Sequence, residues 1–252
     1  MSKSIIIKGL NFLARELKNN GLCNDTNPIQ NVIQEINLSK AADTWGYNLS
    51  GLVFDKIETP RGTIPNDIQS IRIELNVEVH EKKYKLNEIF NPIIIEQSVG
   101  RAKKYNFAFM ISGLSNGNKV LSYWHLDFDN SVGDSYIHPD FHLTYGGKEM
   151  KSDGDDENQV FGKVMLLPSP RLPYPPMDAI LGIDFILRNF VQSNKINNLL
   201  NNKEYKNAIK QSQERLWRPY MLSVASHWCR FSGCNFNTDN TLSKKFHPTL
   251  ID

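Results

Sequence analysis

The chain has 252 residues, of which 40% are hydrophobic and 22% charged, and its formal net charge is +2. This composition is typical of a globular protein with a sizeable core, and no apolar run approaches the roughly 20 residues that a membrane span needs. The first 18 residues lack the long apolar core of a secretory signal, and three cysteines without framework spacing suit a reducing compartment. We therefore expect a cytoplasmic protein that makes no contact with a membrane.

Charge is distributed unevenly along the chain. Residues 127–157 carry nine acidic side chains and two lysines, whereas residues 188–245 carry ten Lys or Arg side chains and three acidic ones. An acidic segment attracts divalent cations, and a basic one attracts phosphate, which makes nucleic acid a candidate partner for residues 188–245. The alternative is that each segment is a solvated surface, or that the two attract one another.

The N-terminal part is predicted to be helical and irregular. Apolar side chains in Ile5–Lys18 recur at helical spacing, and Gly21 is suited to end that helix. A second helix begins after Asp25 or Thr26, with Pro28 in its first turn. Glycines and prolines in residues 39–67 predict an irregular connection with a single strand at 51–57.

A central antiparallel meander of about five strands is predicted between residues 68 and 145. Ile68–His80 alternates apolar and polar side chains as a half-buried strand does, and the sequence SNGN at 115–118 is typical of a hairpin turn. The other predicted strands are Asn91–Val99, Asn106–Gly113 and Lys119–Asp129.

Helices are predicted again at the C-terminus. After a short strand at Val164–Leu167 and a stiff proline-rich connector, a helix from Pro176 or Met177 to about Asn189 has almost no polar side. A helix over Lys203–Trp217 is expected to break at Arg218-Pro219, where a last helix begins. The prediction is one α+β domain with three parts: 1–67 helical and irregular, 68–167 sheet, and 168–252 helical.

The segment 121–147 has the residues most suited to chemistry. Its two strand-like runs alternate polar and apolar side chains, so a hairpin would gather the polar ones on one face. The predicted catalytic residues on that face are His125, Asp127, Asp129, His138, Asp140 and His142.

Two kinds of chemistry are open to these six residues. Two histidines and a carboxylate can hold a divalent metal ion such as Mg²⁺, Mn²⁺ or Zn²⁺. Alternatively, His125 and His142 act as general base and general acid on a phosphodiester, with carboxylates orienting their rings. The structural alternative is a polar outer face on which His and Asp satisfy one another or water.

Two aspartates belong to the apolar helix. Asp178 lies in its first turn, where a carboxylate caps free amides. Asp184 lies in its middle and needs a buried partner, for which Arg171, Arg188, Arg215 and Arg218 are the candidates. Pairing with Arg171 or with Arg215 or Arg218 is the expectation, and the alternative is an active-site role.

A second metal site is predicted near the C-terminus. His227, Cys229, Cys234 and His247 have the spacing H-x-C-x4-C-x12-H, and four such ligands can close a tetrahedral zinc site. The alternative is that His227 and Cys229 simply lie on the last helix, packed or exposed.

The order of elements resembles that of ubiquitin-conjugating enzymes. The features that carry the resemblance are an N-terminal helix, an antiparallel meander, the pair His138-Pro139, a proline-rich crossover and terminal helices. That family needs a cysteine shortly after its His-Pro element, and here the next one is Cys229. The resemblance therefore implies a binding module without conjugating activity.

Two functions follow as expectations. The chain has no Walker loop, dinucleotide glycine fingerprint or nucleophile elbow. The first expectation is a nuclease-like phosphodiester hydrolase that uses the His/Asp cluster and works within a multi-protein bacterial system, such as a defence system. The second is a non-enzymatic adaptor or structural subunit with a protein partner, including the catalytically dead conjugating-like module.

Overall fold

The computed structural model describes residues 3–40, 44–82, 105–128, 139–146, 150, 171–232, 243 and 246–250. These residues form five helices and one six-stranded antiparallel sheet, which confirms the α+β prediction. The helices are α1 (Lys3–Asn19), α2 (Asn27–Leu38), α3 (Ala179–Phe190), α4 (Ser193–Asn201) and α5 (Lys203–Ser232). The strands are β1 (Thr44–Glu58), β2 (Ser70–Lys82), β3 (Asn106–Ser115), β4 (Asn118–Phe128), β5 (Phe141–Tyr145) and β6 (Leu172–Pro173). Within the described ranges, no helix is both long and apolar enough to cross a membrane.

The two N-terminal helices form as the sequence predicts. Gly21 adopts φ +65°, and the Gly21 and Leu22 amides donate to the carbonyls of Lys18 and Leu17, so a left-handed glycine ends α1. At the start of α2, the Asn27 amide donates to Asp25 Oδ1 over 2.8 Å. The apolar sides of both helices are buried.

Strand β1 is much longer than the sequence indicates. It pairs with β2 along 15 residues, but the register shifts between Leu49 and Leu52 and again between Phe54 and Ile57. Gly51 (φ +69°) and Lys56 (φ +54°) lie at these two irregularities. Each bulge inserts residues into the strand and breaks the two-residue alternation, which explains why only 51–57 was predicted.

The turn between β3 and β4 confirms the hairpin prediction. Asn116 and Gly117 adopt φ +50° and +81°, the two positive values that a type I′ turn requires. Asp67 supports the turn, because it accepts from Ser115 Oγ and from the Asn116 amide, each over 2.8 Å. The Ser115 hydrogen bond is the main reason that the pKa of Asp67 is lowered.

The sheet has one apolar and one polar face. Helix α3 lies on the apolar face, where a Cβ at Gly182 would come within 2.6 Å of the Phe107 ring; only glycine permits this approach. Helix α5 also packs there, with Tyr220 against Phe141. We call the opposite side of β2–β5 the polar face, and its members are Glu74, Asn76, Glu78, Asn106, Ala108, Met110, Tyr123, His125, Asp127, His142 and Thr144.

The C-terminal helices differ from the prediction in two ways. Helix α5 is continuous through Pro219, so the predicted break at Arg218-Pro219 is wrong. Leu216 and Tyr220 are buried on either side of the proline, and the burial of apolar side chains before and after it offsets the lost backbone hydrogen bond. Helix α4 was not predicted because only its buried Ile196 and Leu199 mark an apolar side. The predicted strands Asn91–Val99 and Val164–Leu167 lie outside the described residues.

Candidate functional site

The register of β4 and β5 determines which predicted site residues meet. His125 lies directly opposite Thr144, and Asp127 lies opposite His142. Directly opposed residues of an antiparallel pair project to the same side of the sheet. The structure therefore brings His125, Asp127 and His142 together on the polar face.

Asp140 is half-buried and immediately precedes β5. The other two predicted catalytic residues, Asp129 and His138, lie outside the described part of the chain.

His125 and Asp127 form a close pair. His125 Nε2 lies 3.2 Å from Asp127 Oδ2, and the two side chains retain 21% and 39% of their exposure. Because a carboxylate only accepts, Nε2 carries the proton in this contact, which leaves the lone pair of the neutral ring on Nδ1. His125 Nδ1 is buried without a hydrogen-bond partner, and so is Thr144 Oγ1 across the strand pair. The two orphaned polar atoms belong to directly opposed residues.

His142 is the second imidazole of the site. It is 5% exposed, and its Nδ1 lies 3.0 Å from the Pro139 carbonyl oxygen. Since a carbonyl only accepts, Nδ1–H donates and the ring orientation is fixed. His142 lies diagonally from His125, an arrangement in which the Cβ atoms are about 7 Å apart.

Strand β2 adds two acidic side chains, Glu74 and Glu78, to the polar face. Across β2, β3 and β4, Glu78, Asn106 and Asp127 occupy one row. His80 Nε2 lies 3.7 Å from Glu78 Oε1. Among the described residues, no three His, Cys, Asp or Glu side chains are grouped as metal ligands are, and the predicted divalent metal ion at this face stays a prediction.

Asp178 is a fully buried, fully satisfied carboxylate. It is 0% exposed and caps α3 by accepting from the Leu181 amide over 2.8 Å. Its other oxygen accepts from Ser212 Oγ over 3.0 Å and forms an ion pair with Arg215, whose side chain is 4% exposed. Sequence analysis predicted the cap but assigned Arg215 to Asp184.

Aromatic side chains bind the backbone around Asp178, in what we call the α3 entry segment (residues 176–181). Tyr105 Oη donates to the Met177 carbonyl over 2.9 Å and accepts from the Met177 amide over 2.7 Å. Tyr47 Oη accepts from the Ala179 amide, and Trp217 Nε1 donates to the Pro176 carbonyl. Side chains from β1, from α5 and from Tyr105 just before β3 therefore converge on this segment. The sequence carries no local signal for it because the partners are far apart along the chain.

Asp184 has a buried partner, but not the expected one. Its Oδ1 accepts from Tyr205 Oη over 2.6 Å and from Arg188 Nε over 2.7 Å. Arg188 follows by one helical turn and is half-exposed, so a local pair replaces the expected pairing with Arg171, Arg215 or Arg218. Burial, and then the charge of Asp184, raises the pKa of Tyr205 well above its usual value.

The predicted zinc set is described only in part. His227 is buried on α5 beside the Trp228 ring, and His247 Nδ1 lies 2.7 Å from Thr249 Oγ1. The Cys229 side chain and Cys234 lie outside the described part, and zinc at these four residues stays a prediction. The remaining cysteine, Cys23, is buried, and burial followed by the charge of Asp55 raises its pKa to about 12.

The basic segment lies across the sheet from His125. Helices α3 and α5 pack on the apolar face, and several of their basic side chains already contact carboxylates. The pairs are Arg188–Asp184, Arg215–Asp178 and Arg218–Glu214. Exposed lysines remain on α5, at Lys203, Lys206 and Lys210, whereas the exposed Lys195 on α4 lies 3.4 Å from Glu58 Oε2.

No protein-family model, curated protein or solved structure matches this chain.

Proposed function

We propose that the protein hydrolyses phosphodiester bonds, with His125 as the general base. The observation that carries this proposal is the contact of Asp127 Oδ2 with His125 Nε2, which orients the ring and leaves Nδ1 without a hydrogen-bond partner. A carboxylate on one nitrogen fixes the tautomer in which the other nitrogen can take a proton. The carboxylate also stabilises the imidazolium that forms.

His142 supplies the second imidazole. In-line displacement at phosphorus needs a base on the attacking oxygen and an acid on the leaving oxygen. The diagonal placement of His125 and His142 puts their Cβ atoms about 7 Å apart, and the proposal places the phosphate group between the two rings. The attacking hydroxyl loses its proton to His125, and the new P–O bond forms as the P–O bond to the leaving oxygen breaks. The leaving oxygen takes a proton from Nε2 of His142, which enters the step as the imidazolium because its Nδ1–H is bonded to the Pro139 carbonyl.

RNA is the substrate class that this arrangement suits best. The ribose 2′-hydroxyl is a nucleophile already positioned beside the phosphorus, so two imidazoles can carry the first step by proton transfer alone. The exposed lysines of α4 and α5 lie beyond the other face of the sheet. A single phosphodiester cannot contact them and His125 together, so they contribute to binding only when the nucleic acid spans several nucleotides.

The test is cleavage of labelled RNA and DNA oligonucleotides of two lengths by the purified protein. Reactions contain EDTA, or Mg²⁺, Mn²⁺ or Zn²⁺, and the variants are His125→Gln, Asp127→Asn and His142→Gln. We expect RNA cleavage in EDTA that falls by about 10²-fold or more in His125→Gln, whereas the control His80→Gln cleaves like the unmodified protein. Intact RNA and DNA under every metal condition would rule the proposal out.

A second candidate is a non-enzymatic subunit of a larger assembly. Met221 and Trp228, seven residues apart on α5, are 50% and 56% exposed, and Ala225 between them is also exposed. Spacings of four and seven residues place the three on one side of the helix. Large apolar side chains exposed on one side of a helix favour a protein contact. Co-purification with the product of a neighbouring gene that Trp228→Lys abolishes would support this function, and turnover by the isolated monomer would count strongly against it.

A further inference from the structure

We propose that His125 and Thr144 together hold one hydroxyl-bearing ligand, a water molecule or a substrate hydroxyl, between His125 Nδ1 and Thr144 Oγ1. The proposal assigns Thr144 as a positioning residue. The role of Thr144 in positioning the nucleophile rests on the proposed function. The oxygen site, meaning the place of the ligand oxygen between His125 Nδ1 and Thr144 Oγ1, rests on the geometry alone.

The first argument is that the two orphaned atoms belong to one cross-strand pair. His125 and Thr144 are directly opposed in the register of β4 and β5, so their Cβ atoms are about 5 Å apart on the same side of the sheet. Both polar atoms are buried and neither has a hydrogen-bond partner. Leaving a buried polar atom unsatisfied costs about 1–3 kcal/mol, so two such atoms side by side favour an oxygen that satisfies both.

The second argument is chemical complementarity. Because Asp127 Oδ2 occupies Nε2, Nδ1 of the neutral ring can only accept. The Thr144 hydroxyl can donate. A water or alcohol oxygen does both: it donates its proton to Nδ1 and accepts the Thr144 hydrogen. An anion without a proton cannot donate to Nδ1, so the site favours a hydroxyl over such an anion.

The described residues around His125 are consistent with a hydroxyl at Nδ1. The titratable groups that face His125 are Asp127 and Tyr123 on its own strand and His142 on β5, and the ring centroids of Tyr123 and His125 are 5.6 Å apart, while β3 presents Ala108 directly opposite. Ala108 has no polar group with which to compete for Nδ1. The oxygen held between Nδ1 and Thr144 is then the one that loses its proton to His125 in the proposed reaction.

The experiment compares three variants by ¹⁵N NMR of the histidine rings and by kinetics. Thr144→Val removes the hydroxyl at nearly constant volume, and Thr144→Ser restores it. Thr59→Val is the matched control, because Thr59 Oγ1 is also buried without a partner but lies elsewhere. We expect the His125 Nδ1 resonance to move in Thr144→Val by more than in Thr59→Val and to return in Thr144→Ser.

Kinetics on RNA then separates the two proposals. We expect Thr144→Val to lower kcat about 10²-fold with KM little changed, as misplacement of a reacting group does, and Thr144→Ser to recover most of that loss. An unchanged Nδ1 resonance in Thr144→Val overturns the oxygen site even if the protein cleaves RNA. A shifted resonance in a protein without any activity supports the oxygen site and overturns the proposed function instead.

Discussion

The α3 entry segment and the polar face hold their polar groups in opposite states. Around Asp178, both carboxylate oxygens and the backbone of Met177 and Ala179 have hydrogen-bond partners, although the site is fully buried. On the polar face, His125 Nδ1 and Thr144 Oγ1 have none. A satisfied buried network stabilises a fold, whereas unsatisfied groups beside an oriented imidazole leave hydrogen-bonding capacity for a ligand. We therefore expect substitutions in the first region to lower stability and substitutions on the polar face to act on the proposed function.

Asp178→Ala gives the largest expected loss of stability. It strands the buried guanidinium of Arg215 and removes the cap of α3, so the free energy of unfolding should fall by about 3–5 kcal/mol. Urea denaturation measures it. Asp178→Asn keeps a capping oxygen and should cost less. Equal and small losses in both variants would mean that the entry segment is not a stabilising centre.

Tyr105→Phe should cost about 1–3 kcal/mol, because the Met177 amide and carbonyl lose their shared buried partner. The matched variant Tyr47→Phe removes the acceptor of the Ala179 amide and is expected to cost less. The same denaturation curves test both variants. A larger effect in Tyr47→Phe contradicts the account of how the segment is held.

Asp184→Ala should also cost about 1–3 kcal/mol, at or below the loss in Tyr105→Phe. Arg188 is half-exposed and can return to water, so the buried Tyr205 hydroxyl is the group left without an acceptor. Asp184→Asn retains an acceptor oxygen and serves as the control. A loss as large as that of Asp178→Ala would show that Arg188 is effectively buried.

Tyr205, the hydrogen-bond donor to Asp184, should make the free energy of unfolding depend on pH in the alkaline range. Its folded pKa is raised, so its contribution to stability is complete below pH 10 and is lost as the pH rises above that value. The slope from one such group is at most about 1.4 kcal/mol per pH unit. Tyr205→Phe should show a shallower alkaline decline, measured by urea denaturation between pH 9 and 11. The decline persists in part because the pKa values of Tyr174 and Tyr220 are also raised. An unaltered slope argues against a buried Tyr205.

His125→Gln and Asp127→Asn should change stability least, by about 0–1 kcal/mol, because a half-exposed contact between an imidazole and a carboxylate contributes little. Their effect is expected on activity instead. Denaturation and RNA cleavage measured on the same preparations check both parts. A strongly destabilised His125→Gln would mean that the polar face, like the α3 entry segment, has a mainly structural role.

Local patterns predicted the parts of the fold that local physics controls. The alternation in β2, the Asn-Gly turn and the apolar helix α3 each depend on neighbouring residues, and each was found. Strand β1 was shortened because two bulges interrupt its alternation. Helix α5 was divided because a proline is a local signal, whereas the packing of Leu216 and Tyr220 that outweighs it is not local.

The candidate site was predictable to the same extent. Alternation placed His125, Asp127 and His142 on one face, and the hairpin register then joined them. Thr144 was not among the predicted site residues, since an unsatisfied hydroxyl has no signature in sequence. Arg188 was a candidate partner of Asp184, but the expectation favoured Arg171, Arg215 or Arg218, and the distant Tyr205 was not considered because it has no local signal.

The long chain separations within the α3 entry segment bear on how the protein folds during synthesis. Tyr47 and Ala179 are 132 residues apart, Tyr105 and Met177 are 72 apart, and Asp178 and Arg215 are 37 apart. Contacts between such distant residues slow folding. The strands leave the ribosome well before the synthesis of α3 and α5, the helices that pack on their apolar face. A nascent chain ending before Arg215 is therefore expected to expose that face and to depend on chaperones, whereas release of α5 should allow rapid completion.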